Sequence, residues 1–337
     1  MGLVERLVRR PGSLKGGVSV TYRVAVLGLG VMGQRMLGHL ALHDQFEIIG
    51  GWDAAPAARD HAKALHPNVD FDTPAEALIR SERTDLVYIG VPPMAHAGYA
   101  LAAIEARKPV LCEKPLGVDI ADSRRLTERM EASGLPQAVN FAYGSSRAGD
   151  VIETAWRTGQ FGNLLGVDIR QHFAVWPRPW QAQAKWLALK EEGGFVREVL
   201  SHFLYLSDRV LGPATLESAD VRHPADPSLC ETHASARLTA AGVPVTVASS
   251  AGGVGPDLVE ITFWGTKKSY RITDWYRTWE SDGGPWVETT PAVDDYRRDG
   301  AFRQLDQVAA MIAGRPHSLP DFRAALRVQE LIEAILA

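Results

Sequence analysis

The stretch TYRVAVLGLGVMG, residues 21–33, decides how the chain reads. An apolar run reaches Leu27 and breaks on Gly28, Gly30 and Gly33, spaced G-x-G-x-x-G. VMGQRMLGHLALHD (31–44) then carries apolar residues at helical spacing, and FEIIGGWD (46–53) is a second short run that ends on Asp53. The triplet follows a strand, opens a helix, and has an acid 20 residues beyond its last glycine. Together these are the marks of a dinucleotide-binding unit. Gly28 permits the tight turn, Gly30 lets backbone N–H groups approach a pyrophosphate, and Gly33 allows close helix–strand packing. The helix N-terminus adds positive partial charge. Asp53 can accept both ribose hydroxyls and repel a 2′-phosphate. Ala54, Ala55 and Pro56 follow it and Arg59 stands several residues away, so NAD is expected rather than NADP. The same carboxylate can also cap the next helix.

Working outward, Val69–Asp72 suggests a third element, and Thr73, Pro74 and Glu76 in TPAEALIRSE suggest a capping box with proline at the first helical position. TDLVYIGV (84–91), PVLCEKP (109–115) and LPQAVNFAY (135–143) read as strands, with helices over MAHAGYALAAIEAR and 119–133 between them. Continuous apolar strands alternating with helices predict a doubly wound parallel sheet of the Rossmann type, with ligands at the carboxyl ends of its strands. After residue 143 the pattern changes. GNLLGVDIRQHFAV, ATLESADVRHP, THASARLTAAG, VPVTVASSAGG, LVEITFWGTKKSYRITDW and TWESDGGPWVETT read as strands, with one helix near 194–211 between them. AFRQLDQVAAMIAG and DFRAALRVQELIEAIL close the chain as helices. The expected fold class is therefore α/β, a parallel sheet followed by an α+β domain with a large, mostly antiparallel open sheet. The expected division is a loose tail at 1–20, a dinucleotide-binding domain at 21–142 and a substrate-binding and oligomerisation domain at 143–337.

Composition narrows the function classes. The 337 residues are 46% hydrophobic, enough for two packed cores. A formal charge of -4 leaves no basic footprint for nucleic acid. Two cysteines, Cys112 and Cys230, suit a reducing cytoplasm better than a disulfide framework. No apolar window approaches a membrane span, and the basic opening lacks the apolar core of a secretory signal. No Cys/His cluster has metal-ligand spacing, so no metal site is expected.

VLCEKPLG (110–117) sets Glu113 and Lys114 on the same sheet edge as the glycine turn and Asp53. Such a pair can be solvated surface charge, or a lysine that hydrogen-bonds a substrate hydroxyl or carbonyl. The order of GLGVMG, Asp53, VPPMAH (91–96), CEKP (112–115) and VNF (139–141) resembles the glucose–fructose oxidoreductase/inositol dehydrogenase/MocA family of two-domain NAD(P)-dependent dehydrogenases. The resemblance implies that Val31, Met32, Pro92, His96, Glu113 and Lys114 line the cofactor. It also implies that Lys114 is a catalytic or substrate-binding residue, and that the chain forms dimers or tetramers through its second sheet.

GGFVREVLSHFLYLSDRVLG (193–212) places Glu198 and His202 four apart, on one face of a helix. That spacing fits a surface ion pair or a satisfied core histidine, and it equally fits a carboxylate fixing an imidazole as a proton shuttle. The segment resembles the family's stretch whose Asp and His accompany the lysine, but with Glu198 for the aspartate, Ser201 for a glycine and Tyr205 for a second aspartate. The expected chemistry is hydride transfer at a CH–OH or C=O carbon of a sugar, polyol or related small hydroxy compound. His202 exchanges the proton, Glu198 orients it and Lys114 stabilises the substrate oxygen. Asn140, Tyr143 and Arg147 follow the sixth strand and are expected at the pocket. Trp176, Trp180 and Trp186 surround Arg178 and Lys185. Trp176 offers a stacking face and Arg178 a fork for a carboxylate, while a loop packed on the sheet or a subunit contact explains them as well. Other readings are a non-catalytic dinucleotide sensor and an NADPH-dependent ketone or imine reductase.

Overall fold

The computed structural model describes residues 20–337, so the tail expected at 1–20 lies, save for Val20, outside the described residues. The first half lays down five parallel strands: β1 (Tyr22–Leu27), β2 (Phe46–Trp52), β3 (Leu86–Ile89), β4 (Val110–Glu113) and β5 (Gln137–Asn140). Their order is β2-β1-β3-β4-β5. Helices α1 (Val31–Leu42), α2 (Pro56–Leu65), α3 (Ala75–Arg80), α4 (His96–Glu105) and α5 (Ile120–Ser133) connect them. The chain reverses strand order between β2-β1 and β3-β4-β5, so a crevice opens at the carboxyl ends of β1 and β3.

Two sequence expectations change here. Val69–Asp72 forms no strand: Gly51 N–H donates to Asp70 O at 2.9 Å, and Phe71, fully buried, plugs the space beside Gly51. The capping box at Thr73 does not form either. The Asp70 carboxylate takes Asp72 N–H at 2.8 Å and the Thr73 hydroxyl, so the turn closes before the helix, and α3 begins after Pro74 without a side-chain cap.

The second half begins with a helix the sequence reading passed over, α6 (Arg147–Arg157). Ser146 Oγ accepts Gly149 N–H at 3.0 Å at its start, and Ile152 and Ala155 face inward. Strands β6 (Leu164–Phe173), β7 (Ala214–Arg222), β8 (His233–Ala240), β9 (Val243–Ala251), β10 (Leu258–Gly265), β11 (Ser269–Thr273), β12 (Arg277–Ser281) and β13 (Val287–Glu288) follow. Their sheet order is β13-β12-β11-β10-β6-β9-β8-β7, and in this sheet, among the described residues, only β6 and β9 pair in parallel. Alternation buries Ala234, Ala236, Leu238 and Ala240 of β8 beneath the helices, as expected for a sheet covered on one face. The helix expected near 194–211 is one π-turn, Val196–Leu200, that runs into α7 (Ser201–Leu211).

The last two helices are α8 (Tyr296–Ile312) and α9 (Phe322–Leu336), and they join the halves in different ways. Successive residues of β1 point to opposite faces. Val24 and Val26 pack with Met36 and Leu37 of α1 and with Leu305, Val308 and Met311 of α8. Ala25 and Leu27 belong to the other core, which runs on through α7, α9 and the second sheet. Each large aliphatic side chain of α8 buried this way is worth roughly 1.5–3 kcal/mol. The two sheets part between Asn140 and Leu164, and α8 returns from the second half to pack on the first sheet.

Candidate active site

The glycine turn has the shape a diphosphate needs. Gly28 has φ +89°, and a Cβ there would lie 2.4 Å from the Gly90 backbone at the end of β3. A Cβ on Gly33 would lie 1.9 Å from Gly28 O, so α1 packs directly on the turn. Gly30 has nothing within 4 Å of that position. No side chain caps the first turn of α1, which carries half-buried Val31 and exposed Met32. Uncapped first-turn amides beside open space fit a dinucleotide diphosphate. Asp53 stands at the end of β2, where Oδ2 accepts Leu29 N–H at 2.7 Å and Oδ1 accepts Ala55 N–H at 2.8 Å. Arg59 reaches back from α2 and donates from Nη1 to Asp53 O at 2.6 Å.

At the end of β4, Glu113 and Lys114 go to different partners. Glu113 is buried; its Oε1 accepts Tyr88 Oη–H at 2.7 Å and Asn140 Nδ2–H at 2.6 Å. Burial pushes its carboxyl up, with Tyr88, Lys114 and Asn140 pulling the other way. Gln304 of α8 donates to Asn140 Oδ1, so α8 fixes the amide that holds Glu113. Lys114 Nζ donates to Glu198 Oε2 at 2.6 Å and to Glu198 O at 3.0 Å. The two side chains are only 9% and 12% exposed, which makes this a sheltered pair rather than solvated surface charge.

Glu198 projects from the π-turn, a helical irregularity that recurs at functional sites. Lys114, not His202, receives its carboxylate. His202 Nδ1 instead accepts Ala142 N–H at 3.1 Å, so a neutral ring carries its proton on Nε2. Burial first, then Lys114 and Arg178, push the imidazole well below its ordinary 6.5, so the neutral ring is the form present at pH 7. Phe141 and Trp275 enclose it edge-on at 5.8 and 5.4 Å.

The other candidates divide. Pro92 is exposed just after β3, at the carboxyl edge of the parallel sheet. His96 is fully buried with Nδ1 2.9 Å from Pro115 O and Nε2 2.8 Å from Val91 O, pinning two edge loops together. Tyr143 is fully buried against Phe203 and Trp275, and Arg147 forms a two-point ion pair with Asp299, so neither joins the Lys114 group. Trp176 anchors its loop, donating from Nε1 to Leu187 O at 3.0 Å. Of the three replaced positions, Glu198 holds Lys114 and the other two pack internally: Ser201 Oγ donates to Arg197 O and Tyr205 stacks on Phe141 at 4.8 Å. Sequence reasoning missed Gln304 and Trp275, which reach the site by tertiary packing alone. Among the described residues there is no group of three or more His, Cys, Asp or Glu able to hold a metal, and no helix is long and apolar enough to cross a membrane.

Comparison with known proteins bears on the family and the fold. A model described as the NAD-binding Rossmann fold of an oxidoreductase family matches residues 22–141, and one described as the C-terminal alpha/beta domain of that family matches 156–337. The 1-carboxy-3-chloro-3,4-dihydroxycyclohexa-1,5-diene dehydrogenase of Comamonas testosteroni is 27% identical over 186 residues, 54% of this chain and 45% of that protein. The dTDP-3,4-didehydro-2,6-dideoxy-alpha-D-glucose 3-reductase of Saccharopolyspora spinosa is 28% identical over 208 residues, 59% and 60% of the two chains. The match thus spans about half the length of these two relatives. An inositol 2-dehydrogenase of Paracoccus denitrificans is 34% identical over 121 residues, 34% of this chain and 35% of that one. Among solved structures, the WlbA dehydrogenase of Bordetella pertussis in complex with NADH and UDP-GlcNAcA superposes with a TM-score of 0.79 at 21% identity, covering 94% of each chain. A Synechocystis biliverdin reductase in complex with biliverdin and NADP+ does so with 0.74 at 20% identity, covering 93% of this chain and 97% of that one. These structural likenesses show the fold.

Proposed function

The chain belongs to the Gfo/Idh/MocA oxidoreductase family, and from that premise we propose that it transfers a hydride between a nicotinamide and the CH–OH or C=O carbon of a sugar, polyol or related hydroxy compound. The observation that carries the reading is the sheltered Lys114–Glu198 pair, 2.6 Å apart at the carboxyl edge of the parallel sheet. The inositol and deoxysugar relatives support the substrate class. NAD is the cofactor this reading assigns, because a carboxylate at Asp53 opposes a 2′-phosphate. With its diphosphate at the glycine turn, a bound dinucleotide would supply, at its nicotinamide, the acceptor or donor of the hydride.

The protein's own groups handle the proton. In the oxidising direction the substrate hydroxyl gives its proton to Lys114 as Lys114 hands one of its own to Glu198 Oε2. The carbon loses its hydride, and a C=O bond forms; reduction runs the same steps backwards. His202, with Nδ1 occupied by Ala142 N–H, offers an Nε2–H donor to the substrate oxygen and stays neutral throughout. Glu113, held by Tyr88 and Asn140, fixes the floor beside Lys114. Assembly through the second sheet belongs to the same reading, since Trp264 is 42% exposed on β10, beside Trp286.

The test is turnover of a panel of polyols, aldoses, sugar acids and other hydroxy acids, and their ketones, with NAD or NADH, by wild type and by Lys114→Ala. Losing the acid–base group lowers kcat by about 10²–10⁴-fold while NADH binding persists. A chain that binds NADH yet turns over nothing on the panel would be a dinucleotide sensor, and the oxidoreductase reading would be wrong.

A further inference from the structure

The loop after β6 holds an arginine whose charge nothing in the described chain balances. Arg178 donates from Nε to Gln181 Oε1 at 2.9 Å, and among the described residues neither terminal nitrogen has a hydrogen-bond partner and no carboxylate lies within ion-pair distance. Its guanidinium carbon lies 4.7 Å from the Trp180 ring centre and 5.5 Å from those of Phe173 and Trp176. Arg35, one turn into α1, stacks on the same indole at 4.2 Å, again without a carboxylate partner among the described residues. Trp180 therefore bridges the cofactor-binding helix and the second domain, with a guanidinium from each.

The charges within electrostatic reach of Arg178 leave an imbalance. Glu198 and Asp257 attract it, but Glu198 is held by Lys114, and Asp257 accepts Ala174 N–H at 3.0 Å. Arg35 and Arg297 repel it. Burial pulls the group down only to about 10, so it remains a cation at neutral pH. Trp176, one of the rings Arg178 faces, packs edge-on against Phe195 at 6.0 Å, just ahead of Glu198 in the chain, and His202 lies within electrostatic reach of the guanidinium. A partly buried cation among aromatic rings, with no anion of its own, is completed by an anionic ligand. Two coplanar free nitrogens match two carboxylate oxygens.

We propose that Arg178 forms a carboxylate subsite, and that the natural substrate is a hydroxy acid whose carboxylate sits on the Arg178 fork while its reacting hydroxyl or ketone reaches Lys114. This assignment rests on the hydride-transfer reading of the Lys114 site. The redox balance is unchanged: the carbinol carbon gives a hydride to the nicotinamide and its oxygen gives a proton to the Lys114–Glu198 pair, while the carboxylate takes no part.

Calorimetric titration of the full chain saturated with NADH tests the subsite apart from catalysis. The probes are matched sets: D-glucuronate, D-glucose and D-glucose 6-phosphate, and quinate against its uncharged methyl ester. The acids are expected to bind more tightly than their neutral partners, and Arg178→Met to shrink the acid-to-neutral affinity ratio by about 10- to 100-fold, with Arg178→Lys intermediate. Equal binding of acids and neutral partners would overturn the proposal, as would a preference for the phosphate. So would an Arg178→Met variant that loses NADH affinity but keeps the ratio, because the arginine would then serve the cofactor diphosphate. Acid binding that depends on Arg178, without oxidation of any bound acid when NAD replaces NADH, would leave the subsite standing and remove the hydride-transfer reading.

Discussion

Glu231→Gln should stabilise the protein at pH 8 and leave it nearly unchanged at pH 5. Glu231 is 3% exposed, and its Oε1 accepts Val196 N–H at 2.8 Å, at the first residue of the π-turn that carries Glu198. The nearest cation, Arg197, is already spent on Glu333 at 2.7 Å and on the Lys190 and Gly193 carbonyls. Burial therefore wins and holds the Glu231 carboxyl up at about 7, against an ordinary 4.5. With the folded value above the unfolded one, the proton stabilises the fold. That contribution is complete below about pH 4.5 and is lost as pH rises through 7. At about 1.4 kcal/mol per pH unit, ionisation at pH 8 costs at most roughly 3 kcal/mol. Glutamine keeps an oxygen for Val196 N–H and has nothing to ionise. At about 2 °C per kcal/mol for a chain of this length, the variant should melt up to about 6 °C higher at pH 8. Melting followed by circular dichroism at pH 5, 6.5 and 8 reads the difference, since pH effects from other groups cancel between the two proteins. A variant less stable than wild type by the same amount at every pH would show that Glu231 acts as an ionised acceptor, and the burial argument would fail.

Two further outcomes test the scaffold around the site. Gly194 has φ +97°, and a Cβ there would lie 2.3 Å from Glu231 Oε2, so Gly194→Ala should cost at least ~2 kcal/mol by thermal melting. At the other end of the crevice, Asp53→Ala should weaken NADH binding by about 10-fold or more and raise relative NADPH affinity in fluorescence titrations. Adding Arg59→Ala should remove that gain, because Arg59 already reaches the Asp53 carbonyl.

What the sequence disclosed was what short-range chemistry encodes. The glycine spacing requires a close turn because β1, α1 and β3 meet there, and Gly28 and Gly33 cannot carry a Cβ in that space. Continuous apolar strands gave the parallel sheet, and alternation in HASARLTA gave a strand buried on one face. The same local rules failed where tertiary contacts overrode them. Phe71 serves as a plug and not as a rung of a ladder, and Asp70 takes the Thr73 hydroxyl that would have capped α3. Helix α6 follows directly on a loop and was hidden by the change of pattern after residue 143.

The candidate site shows the limit most clearly. Glu198 and His202 share helical spacing, which suggests a carboxylate–imidazole pair, but spacing along a helix reports only which groups can share a face. Lys114 comes from 84 residues upstream and takes the carboxylate at 2.6 Å, since a sheltered ammonium gains more from an anion than a neutral imidazole does. His202 is left with a backbone N–H on Nδ1, which fixes the proton of the neutral ring on Nε2 and leaves no carboxylate to orient it. Each residue was legible by type and by position along its strand or helix. Their roles follow from who holds whom across two domains, and that follows from α8 and the π-turn, neither of which leaves a local signature near Lys114.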